Sequence, residues 1–103
     1  MKVLLDHCVP RTFAKFLTDH HVLTTSSMGW QELSNGKLLN AAREAGFASF
    51  ITTDANMQYQ QNAAQLRDLI IIVMLARSNR LADLSPLAPR VLAVALWRPA
   101  SAL

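Results

Sequence analysis

The sequence predicts an α/β fold, a three-layer domain built on a four-stranded parallel sheet, occupying residues 1–103 as a single unit. Three observations predict it. Short apolar runs alternate along the chain with segments of helical periodicity, in the order βαβαβαβα. The connections are short, so each strand must pass into a crossover, and right-handed crossovers place helices on both faces of the sheet. Two of the apolar runs end in an aspartate, Asp6 and Asp54. That is a polar stop where such sheets present their functional edge.

Each element has its own local reason. Val3 to Leu5 is a first strand, closed by Asp6. Pro10 opens a first helix, tolerated in the first turn, with Phe13, Phe16 and Leu17 at i, i+3, i+4 spacing. Val22 to Thr25 is rich in residues that favour strands, and Ser26 to Leu33 is a loop holding Met28, Gly29 and Trp30. A second helix starts at Ser34 or Asn35, both good caps, and stops at Gly46, with Leu38, Leu39, Ala42 and Ala45 on one face. Phe47 to Thr53 is the third strand. The polar stretch Ala55 to Gln65 is a short helix with a weak apolar face. Leu69 to Leu75 is so continuously apolar that it reads as a strand covered on both faces. Ser85 and Pro86 start a last helix with Leu87, Val91, Leu92, Ala95 and Leu96 inward, and Pro99 ends it.

Composition excludes several classes. With 51% hydrophobic and 17% charged residues the chain is a packed protein rather than a disordered one. Cys8 is the only cysteine, so an internal disulfide is impossible and a reducing, cytoplasmic setting is expected. The first apolar run meets a charge at once, unlike a signal peptide, and no run is long enough to cross a bilayer, so no membrane partner is expected. The net charge of +3 says little by itself; its placement says more.

In a parallel α/β sheet the first strand is normally central and the third its neighbour across the reversal of strand order. That places Asp6 and Asp54 together at the switch point, where ligands bind. Two carboxylates held close repel each other, and a divalent cation relieves this while activating water and stabilising charge on a phosphodiester. The alternative is that both aspartates simply terminate strands. His7 also has two readings, a general base or ligand, or a hydrogen-bonded structural partner of Asp6. The loops after the strands share this edge. They carry Arg11, then Trp30, Glu32, Asn35 and Lys37, then Asn56, Gln60, Gln61 and Asn62, then Arg77, Asn79 and Arg80. Four basic side chains with an aromatic among them suit phosphate binding and base stacking on RNA. Solvated loops are the plainer account of the same residues, and Trp30 can equally plug its loop onto the sheet.

These residues together resemble the short PIN-like family, relatives of the PIN-domain ribonucleases and of toxins in bacterial toxin–antitoxin pairs. The resemblance runs from Met1 to about Leu96. It rests on Leu4-Leu5-Asp6 with Val9-Pro10, on Met28-Gly29-Trp30, and on Ser34-Asn35-Gly36 with Leu38-Leu39. It rests further on Thr53-Asp54-Ala55-Asn56, Gln60-Gln61-Asn62 and Ala76-Arg77-Ser78-Asn79-Arg80.

The resemblance implies a PIN-like (flavodoxin-like) fold and a metal-dependent endoribonuclease with Mg²⁺ or Mn²⁺ held by Asp6 and Asp54. It also implies a small cognate antitoxin and a homodimer. His7, Asn35 and Asn56 stand where relatives of this kind place acids, so only two carboxylates remain; Asn35 and Asn56 would orient waters or the scissile phosphate. Arg11, Trp30, Lys37, Gln61, Arg77, Asn79 and Arg80 would hold the nucleic acid. The rival expectation is a catalytically degenerate module that binds nucleic acid or protein. A response-regulator-like domain is the third, disfavoured because a single Asp6 stands where those domains use an acidic pair.

Overall fold

The computed structural model describes residues 1–59 and 68–95. Four strands, β1 (Lys2–Leu5), β2 (His21–Thr24), β3 (Ser49–Thr52) and β4 (Ile70–Val73), form one sheet in the order β2-β1-β3-β4. Every pairing is parallel, with Leu5 opposite Thr24 on one side and Ile51 on the other. β1 is therefore central, and strand order reverses between β1 and β3, as the sequence predicts.

Alternation along β1 divides the core into two. Val3 and Leu5 join Ile51, Ile72, Phe13, Leu17, Leu84 and Val91 on one face. Leu4 joins Phe50, Leu38, Leu39, Ala42, Phe47 and Met57 on the other. Helices thus cover both sides, and the sheet's middle strands are dry: β1 and β3 are buried over nearly their whole length.

Helix α1 (Asn35–Glu44) follows its sequence signals closely. Ser34 precedes it in extended conformation, Leu38, Leu39 and Ala42 form the buried stripe, and Gly46 takes a φ of +84° just beyond its end. A residue with a Cβ is strained there, so glycine is the natural stop.

Other elements differ from expectation. The helix predicted after Pro10 is a 3-10 helix, Arg11–Phe16. Phe13 and Phe16, three residues apart, meet edge to face at 5.9 Å. That spacing suits a three-residue turn, and the link to β2 is too short for more. Asp19, at φ 71°, then turns the chain back. The stretch after Asp54 likewise begins as a 3-10 helix, Ala55–Tyr59; its continuation to Gln65 lies outside the described residues.

β4 is the edge strand, and both its faces are covered as expected, Ile70 and Ile72 packing on one core and Ile71 on the other. Ile72 is buried, Ile70, Ile71 and Val73 are half-buried, and Leu75 beyond it is 73% exposed. Its continuous apolar run reflects half-burial on both faces at the rim, which the composition alone does not distinguish from full burial. The last helical segment starts earlier than Ser85. Helix α2 (Leu81–Leu84), a 3-10 turn (Ser85–Leu87) and helix α3 (Ala88–Ala95) run on without a break, Ser85 itself being helical. Leu96, Trp97 and Pro99 lie outside the described residues. Among the described residues no helix is long and apolar enough to cross a membrane.

Candidate functional site

Asp6 follows β1 directly, and its N–H donates to the Ile51 carbonyl at 2.9 Å, extending the ladder with β3 by one residue. It is 4% exposed, the one charged side chain buried among the described residues. A buried carboxylate is tolerable only when its oxygens are satisfied, and here four donors satisfy them. Oδ1 accepts the His7 backbone N–H at 2.8 Å and faces the His7 ring nitrogen Nδ1 at 3.0 Å. Oδ2 accepts the Thr52 hydroxyl at 2.7 Å and the Cys8 thiol at 3.6 Å.

Thr52 joins the two aspartates. Its Oγ1, buried at the end of β3, donates to Asp6 Oδ2 and accepts the Asp54 backbone N–H at 3.0 Å. The Cys8 sulfur packs beside this junction, 3.5 Å from Thr52 Oγ1, and accepts the Thr53 N–H at 3.5 Å. Asp54 itself is half-buried, and its Oδ1 accepts the Asn56 backbone N–H at 2.9 Å, which folds the start of the following turn. The loops of β1 and β3 are thus tied together at the switch point through Thr52. Thr52 and Cys8 were not among the candidate site residues of the sequence. A threonine two places before an aspartate reads as an ordinary strand residue until its hydroxyl is seen between two loops.

Two recesses flank this network. A cleft of about 520 Å³ on the β2 side is lined by Asp6, His7, Arg11, Thr24, Ser26 and Ser27, with Val9 and Pro10. A second, of about 380 Å³, lies on the β4 side between Thr53 and the loop from Met74 to Asn79, so Arg77 and Asn79 line it. Arg11 and Arg77 therefore stand on opposite sides of Asp6, both exposed.

The remaining predicted residues are less closely gathered. Asn35 and Lys37 sit in the first turn of α1, half-buried and exposed, and no hydrogen bond joins either to Asp6 or Asp54. Asn56 is exposed and bonds Asp54 through its backbone alone. Arg80 is exposed and precedes α2, its N–H donating to Ser78 Oγ at 3.0 Å; it lines neither recess. Trp30 turns away: its ring meets Phe47 edge-on at 6.0 Å, and Phe47 lies before β3, toward the opposite end of the sheet. The plugging role accounts for that placement. Gln60, Gln61 and Asn62 lie outside the described residues.

The fit of a divalent cation depends on the acceptors left over. An ionised carboxylate offers about four acceptor positions, and Asp6 already receives four donors. Asp54 has one oxygen engaged. No group of three or more His, Cys, Asp or Glu side chains among the described residues is arranged to hold a metal. An ion on Asp6 has to displace His7 or Cys8 first, so the donor set fits Mg²⁺ or Mn²⁺ poorly.

The fold and this edge define a parallel α/β domain with a buried acid at its switch point and basic residues around it. Compared with known proteins, the chain matches no family model, no curated protein and no solved structure.

Proposed function

We propose that the chain acts on RNA, as an endoribonuclease whose substrate strand runs along the carboxyl edge of the sheet past Asp6. One observation carries the reading: a buried, fully hydrogen-bonded carboxylate opens onto a cleft lined by the exposed Arg11, and the exposed Arg77 lines a second recess at the same edge of the sheet. Phosphates on either side of the reacting position need such cations. The reading also draws on the PIN-like resemblance, which is the sole support for a toxin role, an antitoxin partner and a dimer.

The test is binding and cutting of a fluorescent single-stranded RNA by the purified protein, with Mg²⁺, with Mn²⁺ and with EDTA. The expected result is binding that Arg11→Ala and Arg77→Ala weaken, and cleavage that Asp6→Asn abolishes. A two-aspartate metal mechanism further requires loss with Asp54→Asn and with EDTA. Absence of RNA binding removes the proposal.

The second reading is a nucleic-acid-binding module without catalysis. The saturation of Asp6 by internal donors favours it, because a carboxylate so engaged can serve as a strut between loops. It predicts RNA binding that survives Asp6→Asn and is never followed by cleavage.

A further inference from the structure

We propose that His7, held by Asp6, is a general base that cleaves RNA through the RNA's own 2′-hydroxyl without a metal ion, an inference that rests on the RNA reading above.

The argument starts from the tautomer. Asp6 Oδ1 lies 3.0 Å from His7 Nδ1, and a carboxylate can only accept. The proton of that hydrogen bond therefore sits on Nδ1, and in the neutral ring Nε2 carries the lone pair. Nε2 lies on the far side of the ring from Asp6, and the His7 side chain is 64% exposed where it lines the 520 Å³ cleft. The base is thus oriented by a buried acid and open to a ligand. This is the arrangement in which an acid fixes an imidazole and stabilises it once protonated.

Burial supports the assignment from the other side. Asp6 is 5% exposed at the side chain, and His7 is its one ion-pair partner among the described residues. A proton gained on Nε2 thus places the positive charge beside a carboxylate that has no other cation. A metal on Asp6 has to break bonds already made, whereas a base at His7 uses them all. Around the ring, the 3-10 helix after Pro10 contributes Arg11, and the end of β2 with its following loop contributes the neutral Thr24, Ser26 and Ser27.

The chemistry balances without a co-reactant beyond water. Nε2 takes the proton of the ribose 2′-hydroxyl, and the 2′-oxygen forms a bond to phosphorus. The bond from phosphorus to the 5′-oxygen breaks, that oxygen takes a proton from water, and the proton on Nε2 returns to solvent. Arg11 offsets charge on the non-bridging oxygens in flight. The products are a 2′,3′-cyclic phosphate and a 5′-hydroxyl. A deoxyribose strand has no nucleophile and stays intact.

The experiment incubates the full chain with a defined single-stranded RNA in excess EDTA and analyses the ends by mass spectrometry. An all-deoxy strand of the same sequence runs alongside. Expected are EDTA-resistant cleavage, cyclic-phosphate ends, an uncut deoxy strand, and a fall of about 10²–10⁴-fold in His7→Ala and His7→Gln. Free imidazole restores part of the His7→Ala loss, which a structural role for His7 does not allow. His7 is exposed, so unfolding of these variants is checked by circular dichroism. RNA that binds but is cut only with added metal, or cut to 5′-phosphate ends, overturns the proposal and leaves the RNA reading standing. RNA that does not bind overturns both.

Discussion

At the scale of single residues, Thr52 is the side chain on which the site's geometry turns. Replacing it by valine keeps the shape and removes the hydroxyl, leaving Asp6 Oδ2 short of a donor and the Asp54 N–H short of an acceptor. The expected cost is about 1–3 kcal/mol in urea unfolding, and Thr52→Ser, which keeps the hydroxyl, recovers most of it. Cleavage of RNA should fall in Thr52→Val by more than stability alone accounts for, because both loops are freed to move. Asp6 was legible in the sequence because a charge directly after an apolar run must either end a strand or do chemistry. Of its partners, His7 was legible too, and Thr52 and Cys8 were not. Cys8 and Thr52 are small, half-apolar residues whose polar atoms acquire meaning only when strands distant in sequence are set side by side. Trp30 was misleading for the opposite reason, since an aromatic in a loop is compatible both with stacking on a base and with packing on Phe47.

At the scale of elements, α1 was legible from end to end because its signals are local: an apolar stripe, a glycine, and a start at Ser34, whose side chain nonetheless makes no capping hydrogen bond. Two changes separate those contributions. Gly46→Ala adds a Cβ that meets nothing within 4 Å, so its cost comes from the left-handed backbone alone, about 1 kcal/mol. Leu39→Ala empties a fully buried position and costs about 2–5 kcal/mol, both read from denaturant midpoints. The segment after Pro10 was read as a helix because Phe13, Phe16 and Leu17 stand at i, i+3, i+4 spacing. The structure makes it a 3-10 helix, with Phe13 and Leu17 both buried in the core and Phe16 meeting Phe13 edge to face. The apolar run at Leu69–Leu75 gave the two covered faces of β4 but not its partial burial, which follows from its place at the edge of the sheet.

At the scale of the whole molecule, the strand order and the place of the acids relative to it were legible, because right-handed crossovers leave few ways to wind four parallel strands. The distribution of charge was legible only in part: Arg11 and Arg77 reach the recesses while Arg80 and Lys37 stand apart. Salt dependence measures this directly. Arg11→Ala and Arg77→Ala should each reduce the slope of log K against log salt for single-stranded RNA by about 0.7. Arg43→Ala, exposed in the last turn of α1 toward the opposite end of the sheet, should leave the slope unchanged. The central position of β1 also governs when the molecule can be born. Val3, near the start of the chain, finds one neighbour in Val22 and the other only in Ser49. A chain emerging from the ribosome therefore carries its innermost strand half-clad until Ser49 has emerged, and until then it exposes a greasy ribbon that chaperones can recognise.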